Sequence, residues 1–317
     1  MKPPRIFVQI ASYRDPECAP TVADLYAKAA HPERVSIGLV WQARPEDGEP
    51  MRADQPHADQ VRIFHVAAQH SRGACWARHL AQNLWQGEDY FLQVDSHMRF
   101  EPDWDRHLVE QWQATADPRA LISSYPAAYE PPDTLHPCIT RMVAKGFNHD
   151  GVLSFNSKIL TGVESAPPLP GAFISAGFLF GPAAALREVP YDPLLYFVGE
   201  EVSMAVRLWT HGWNPYSPNR VILYHWYRKS EPRPLHWRDH PDWSADNRRA
   251  VRRIRHLLGA EPCNAPDVLR DLERYGLGAA RSLTAYQEFS GVDFVAQSLS
   301  PRALNGPFER PPVAEQI

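Results

Sequence analysis

Apolar runs and polar loops alternate along the first hundred residues in an order that predicts strands and helices in turn. Arg5–Ala11 (RIFVQIA) is a β-branched and aromatic run closed by the polar Ser12-Tyr13-Arg14-Asp15-Pro16, and it reads as a buried strand. Ala19–Ala30 reads as a helix, with Val22, Leu25 and Tyr26 on its apolar face and Thr21 as a candidate cap. Val35–Trp41 and Val61–Val66 read as second and third strands, separated by a loop rich in proline and charge. Gly73–Leu84 fits a helix, with Trp76, Leu80 and Leu84 at four-residue spacing, and Tyr90–Val94 a fourth strand that ends at Asp95-Ser96-His97. Strand, helix, strand, strand, helix, strand predicts an α/β fold, with a mostly parallel central sheet and helices on its faces. Such sheets bind ligands beyond the carboxyl ends of their strands. The tips Ser12–Asp15 and Asp95–His97 both fall there.

The pattern loosens in the second half. Leu121–Tyr125 is a candidate strand, and Tyr129–Pro170 reads as loop, with prolines at 131, 132, 137, 167, 168 and 170. Ala172–Phe180 (AFISAGFLF) reads as a buried strand and Ala183–Glu188 as a short helix. Glu200–His211 predicts a helix with Val202, Ala205, Val206 and Trp209 on one face and Gly212 as its stop. Val221–Tyr227 is a last strand. Ser244–Leu258 is a helix with Val251, Ile254 and Leu258 inward and the arginines of 248–255 mostly outward, on a solvated face. Tyr286–Gln297 shows no clear period.

Composition narrows the class. The 317 residues contain 44% apolar residues and carry a formal net charge of -4, which argues against a nucleic-acid partner. No apolar run reaches the ~18 residues of a transmembrane helix. Met1–Arg5 leads directly into the first strand without a signal-peptide core. The four cysteines, Cys18, Cys75, Cys138 and Cys263, are widely spaced and form no C-x-x-C pair. That fits reduced thiols and predicts a cytoplasmic protein. The 31 prolines are about twice average usage. With 11% aromatic residues they indicate long structured loops rather than disorder.

Three groups of residues carry candidate chemistry. Asp95 and His97 are two apart at a strand end, so one carboxylate and one imidazole can share a face and hold a cation of the Mn2+ or Mg2+ type. A turn aspartate beside a surface histidine is the plainer reading. His225, inside the aromatic run Leu223–Tyr227, is the natural third ligand. Glu200 and Glu201 open a helix after Gly199; the helix dipole alone favours acids there, but they also suit a ligand pocket. Arg14, Arg72 and Arg78 are candidates for phosphate oxygens. Because 28 of the 33 basic residues are arginine, any single one carries little information. There is no glycine-rich phosphate loop of either common kind, so a phosphate here would rely on a metal and arginines.

Phe7–Glu17 (FVQIASYRDPE), Gly73–Arg78 (GACWAR), Leu92–Phe100 (LQVDSHMRF) with Trp104-Asp105, and Gly199-Glu200-Glu201 with Arg207, Trp209, Thr210, Gly212 and Trp213 together resemble the cytoplasmic hydroxyproline-polypeptide N-acetylglucosaminyltransferases and their bacterial relatives. The matching blocks run from about residue 5 to 230, and more faintly past Tyr286–Gly291. The resemblance implies a GT-A nucleotide-sugar fold and a retaining transfer, most readily of GlcNAc, from a UDP-sugar to a hydroxyl acceptor on a protein, peptide or glycan. It implies that Asp95-Ser96-His97 stands at the metal-binding D-x-D position, with His225 as the late metal-binding histidine. Ser12, Tyr13 and Arg14 would lie against the nucleotide, Arg78 near uridine or diphosphate, Ala176-Gly177 near the donor sugar, and Glu200 or Glu201 between sugar and acceptor. Residues 1–115 would form the nucleotide-sugar half, 116–230 the acceptor half, and 231–317 a helical C-terminal extension. Two other readings stay open. Asp95, His97 and His225 could form a non-haem iron oxygenase triad, although that class usually reads H-x-[DE] on a β-barrel. A non-catalytic glycan-binding protein could use the many tryptophans and tyrosines.

Overall fold

The computed structural model describes residues 4–227 and 234–310. Residues 1–3, ahead of the first expected strand, 228–230 of the expected acceptor half, and 231–233 and 311–317 of the expected extension lie outside them. In chain order the first half contains β1 (Ile6–Tyr13), α1 (Cys18–Lys28), β2 (Val35–Ala43), β3 (Val61–Ala67), α2 (Ala74–Gln82), β4 (Tyr90–Asp95), β5 (Met98–Phe100) and α3 (Trp104–Ala114). There follow β6 (Ala120–Ser123), β7 (Ala127–Glu130), β8 (Thr134–His136), β9 (Ile139–Phe147), β10 (Leu153–Leu160), β11 (Leu169–Pro170) and β12 (Phe178–Pro182). The rest is α4 (Ala184–Glu188), α5 (Glu200–Thr210), β13 (Asn214–Ser217), β14 (Leu223–His225), α6 (His236–Asp239), α7 (Trp243–Leu257), α8 (Pro266–Leu269), α9 (Leu272–Tyr275), α10 (Leu283–Ser290), β15 (Val292–Asp293), β16 (Ser298–Leu299) and α11 (Pro301–Asn305).

The main sheet has eight strands in the order β11-β13-β6-β12-β4-β1-β2-β3. Its β3-β2-β1-β4 half is parallel throughout. These strands read as continuous apolar runs because β1, β2 and β4 are covered on both faces. β12 then runs antiparallel between β4 and β6, and β11 antiparallel to β13. The sheet is mixed, with four of its seven strand pairings parallel, and it runs through both expected halves of the one domain. A second sheet, β5-β14-β7-β8, stands beside the end of β4.

Several local expectations are corrected. Tyr129–Pro170 is not mainly loop, since it holds β8 and the long β9–β10 hairpin. The prolines flank that hairpin but never enter it. Its turn is closed by the Asn148 Oδ1, which accepts from the Asp150 and Val152 N–H groups, with Gly151 at φ 69°. Of the expected strand Ala172–Phe180 only Phe178–Phe180 is strand, continuing to Pro182; Ala172–Gly177 is a buried turn whose polar groups find other partners. Ser123 Oγ accepts from Ser175 N–H, and the Ala176 carbonyl accepts from Gln93 Nε2. Thr21 does not cap α1. It lies inside the helix, donating to the Ser96 carbonyl and accepting from Met98 N–H at 2.8 Å. Arg253 is not on the solvated face of α7. It is buried, with its Nε 2.6 Å from Asp192. Tyr286 belongs to α10, which packs on α5, and its hydroxyl donates to the Ala172 carbonyl. Part of the C-terminal segment thus forms the floor under the central turn.

Candidate active site

The carboxyl ends of β4 and β1, the turn into β5, the N-termini of α2 and α5, and the end of β14 converge on one point. Asp95 closes β4 and His225 closes β14, which pairs with β5 so that His225 stands opposite Met98, one residue beyond His97. This register explains how a distant aromatic strand brings a third candidate ligand to the D-x-H tip. His225 Nε2 lies 3.0 Å from Asp95 Oδ2 and 3.1 Å from His97 Nε2. Neighbouring ligands of a divalent cation bound at about 2.1 Å would be separated by about 3.0 Å, so the three side chains fit such an ion. Two imidazole nitrogens this close must share a proton or a cation. A Cβ on Gly177 would sit 2.8 Å from Asp95 Oδ2 and 3.6 Å from His225 Cδ2, so a bare backbone is needed there.

The surrounding residues orient the three. Asp15 Oδ2 lies 2.6 Å from His97 Nδ1 and accepts from Ser96 Oγ at 2.8 Å. A carboxylate behind a histidine fixes the tautomer that leaves Nε2 for a metal. Arg78, at 5% exposure, reaches from α2 between two acids. Its Nη2 donates to Asp95 Oδ1 at 2.6 Å, and its Nε lies 2.7 Å from Glu200 Oε1. Its Nη1 has no hydrogen-bond partner among the described residues. Burial pushes the Asp95 carboxyl up, but Arg78, His225 and His97 outweigh it and hold the group well below the usual carboxylate range.

Two cavities meet here, sharing Arg78, Asp95, Phe197 and His225. The first, of 420 Å³, is lined by the α5 N-terminus, Ser175–Gly177, Tyr125, Tyr227 and the start of β10. The second, of 290 Å³, is lined by Tyr13, Asp15, Ser96, His97 and Pro234–Trp237. The two glutamates of α5 differ. Glu200 is buried against Arg78, whereas Glu201 is partly exposed in the first cavity. The Tyr125 hydroxyl donates to Glu201 Oε2 at 2.7 Å and Ala176 N–H to Oε1 at 3.0 Å. Burial raises the Glu201 carboxyl to about 7 against those two bonds, with repulsion from Glu200 and Asp95 added.

Not every candidate arrives at this point. Tyr13 and Ser96 line the second cavity. Ser12 is fully buried, its carbonyl held by Gln42 Nε2. The Arg14 guanidinium is directed to Asp47 and Asp239 rather than to open space, with Nε and Nη1 both at 2.8 Å from carboxylate oxygens. Arg72 is exposed over the Trp76 ring. Sequence reasoning passed over Asp15, Tyr125, Tyr227, Phe197 and His236. Asp15 lay within the quoted Ser12–Asp15 tip, but nothing in the sequence pointed it at His97.

No helix among the described residues is long and apolar enough to cross a membrane. No curated protein matches the chain by sequence. Among solved structures, GalNAc-T7 with UDP, GalNAc and Mn2+ is similar at a TM-score of 0.60 and 15% identity, covering 90% of this chain and 56% of that one. The chain therefore spans little more than half the length of that relative. TarS 1-349 of S. aureus in complex with UDP-GlcNAc gives 0.49 at 10% identity, covering 86% of this chain and 71% of that one. The fold is of the GT-A type, which sets aside the β-barrel oxygenase reading of the two histidines and one carboxylate. The family model described as Glycosyltransferase (GlcNAc) matches residues 5–58 and 52–296, nearly the whole chain, and the protein belongs to that glycosyltransferase family.

Proposed function

We propose that the protein is a metal-dependent, retaining glycosyltransferase that moves a sugar, GlcNAc first among candidates, from a UDP-sugar to a hydroxyl on a protein, peptide or glycan. The observation that carries this reading is the Asp95–His97–His225 cluster at the junction of two cavities. The family supports glycosyl transfer. UDP, GalNAc and Mn2+ in a structure of like fold support a nucleotide diphosphate beside a cation. The four unpaired cysteines accord with a reducing cytoplasm.

Asp95, His97 and His225 would hold Mn2+ or Mg2+, which when bound neutralises charge building on the diphosphate leaving group. The second cavity would take the nucleotide, with Tyr13 and Ser96 in its wall, Ser12 beneath and Arg14 shaping the rim through Asp47; Arg72 stands further out. Arg78 adds a fixed positive charge with a free N–H in a desolvated place, where it stabilises a developing anion without reorganising. Ala176 and Gly177 present bare backbone for close approach of the donor sugar. In a same-face retaining route the leaving phosphate takes the acceptor's proton, so no strong protein base is needed. Glu200, locked on Arg78, then holds the arginine in place. Glu201 faces the acceptor side, where it can position a hydroxyl or balance positive charge on an oxocarbenium-like sugar.

The test is a panel of nucleotide-sugars with Mn2+, Mg2+ or chelator, reading nucleotide release and the anomeric configuration of any product. Release from UDP-GlcNAc that stops on chelation is expected. If every UDP-sugar stays intact, the transferase reading fails and a non-catalytic glycan binder takes its place. Undiminished release under chelator would remove the metal, and an inverted product would remove the retaining route.

A further inference from the structure

The second cavity is closed on one side by Pro234–Trp237, and the contacts that hold this segment down converge on one histidine. His236 Nδ1 lies 2.7 Å from the Tyr196 hydroxyl. One face of its ring stacks on His240 at 3.9 Å and 5°, and its edge meets Tyr13 at 5.0 Å. His240 Nε2 is 3.0 Å from the Ala68 carbonyl. Asp239, on the same turn, accepts from the Tyr13 hydroxyl and Arg14 Nη1, both at 2.8 Å, with Arg44 at 3.5 Å. One short helix thereby ties together the ends of β1 and β2, the turn after β3 and the entry to α5.

We propose that Pro234–His240 is a strap across the second cavity whose clasp opens as the medium turns acidic, with His236 the residue that must stay neutral for it to hold. A proton added to His236 puts a cation face to face with His240 and beside Tyr13. The groups facing it offer no free counter-charge. On its own element Asp239 is taken by Tyr13, Arg14 and Arg44. On α7, Asp246 is paired with Arg249. Tyr196 supplies a hydroxyl and Ser71 its backbone. Burial, with His240 adding repulsion, lowers His236 to about 4. A freed ring titrates near 6.5. The clasp is therefore complete above about pH 6.5 and is lost as pH falls through 6.5 toward 4. That the strap gates a nucleotide rests on the donor-binding reading above; the opening itself does not.

Amide hydrogen exchange of the ligand-free protein tests the opening directly. After correction for chemical exchange rates, peptides covering 234–240 are expected to exchange on the order of tenfold faster or more at pH 5 than at pH 7.5. Amides of β1 serve as the unmoved reference. His236→Gln can still meet the Tyr196 hydroxyl but cannot charge, and it is expected to keep its pH 7.5 protection at pH 5. Equal wild-type protection at the two pH values would overturn the proposal, as would a His236→Gln strap that opens as far as the wild type. The wild-type comparison decides the matter even if the variant does not fold. A strap that opens as described in a protein that binds no UDP would leave this inference standing and remove only the donor reading.

Discussion

On the side of the second cavity, charged groups answer one another. Arg14 sits between Asp47 and Asp239, Ser96 and His97 share Asp15, and Tyr13 is bonded to Asp239. On the side of the first cavity the answer is incomplete. Arg78, which reaches both cavities, keeps an unpaired N–H, and Glu201, though it accepts from Tyr125 and Ala176, is raised to about 7 by burial. Polar groups satisfied by their neighbours give a rigid wall that positions. Groups left short of partners, or shifted by burial, have interaction energy available for something that is not protein. On the reading proposed above, the second cavity would position the nucleotide and the first would hold the reactive groups for sugar and acceptor, with Arg78, Asp95 and His225 shared between them.

The shared residues give the largest expected effect. Asp95→Asn keeps the shape but removes the negative charge proposed to hold the cation and the carboxylate that pairs with Arg78. Metal-dependent nucleotide release is expected to drop by about 10²–10³-fold, the scale of losing a charge-stabilising group in a dry site. Activity within a few-fold of wild type would break the comparison at its centre. Next comes Arg78→Met, which leaves the half-buried Asp95 and the buried Glu200 without their cation. Breaking such a buried pair costs about 3–5 kcal/mol, read as a lowered urea midpoint at pH 7. Glu200→Gln in that background is expected to restore part of the loss, and if it restores none, the arginine is not holding Glu200.

Glu201 sharpens the contrast through pH. Its carboxyl is raised in the folded protein to about 7, against about 4.3 in an unfolded chain. A raised acid contributes stability that is complete below the unfolded value and is lost as pH climbs through the folded one. Glu201→Gln cannot ionise and can still bond both Tyr125 and Ala176. The variant's stability relative to wild type is expected to grow between about pH 4.5 and 7, by up to about 3 kcal/mol. A difference that stays flat across this window would mean the first cavity is as well satisfied as the second.

The same division explains what the sequence could reveal. The parallel half was legible because β1, β2 and β4 are buried on both faces, so each is a continuous apolar run ending at a polar tip. The β9–β10 hairpin was not, because Thr140, Arg141 and Lys145 interrupt the apolar positions of β9, β10 is half polar, and the prolines on the flanks suggested loop. Asp95, His97 and His225 were legible as residue types at a strand end and in an aromatic strand, but their meeting depends on the β5–β14 register. Glu200 and Glu201 were adjacent in sequence and interchangeable; only burial separates the one clasped by Arg78 from the one facing the cavity. Arg14 looked like a phosphate ligand because a loop arginine shows its charge and hides its partners, Asp47 and Asp239 lying 33 and 225 residues away.

Asp15 provides the smallest effect, and it crosses from one cavity to the other. It belongs to the self-satisfied wall, yet its Oδ2 is 2.6 Å from His97 Nδ1, so it acts on the shared cluster by fixing a tautomer. An ionised carboxylate there requires the proton on Nδ1 and leaves the Nε2 lone pair toward Asp95 and His225. Asp15→Asn disturbs that choice in either amide orientation. With its NH2 toward His97, the ring must accept at Nδ1 and carry its proton on Nε2, where a metal would bind. With its oxygen there, the NH2 instead faces the Glu17 N–H that now donates to Oδ1 at 3.0 Å. Loss of such a partner typically weakens metal binding by about 10–100-fold. The expected result is a Mn2+ midpoint for thermal stabilisation or nucleotide release shifted upward by that factor, with full rate recovered at high metal. If Asp15→Asn instead lowers the rate at saturating Mn2+ and leaves the midpoint in place, Asp15 acts on the reacting groups themselves, and the division between a positioning wall and a reactive one fails at the residue that joins them.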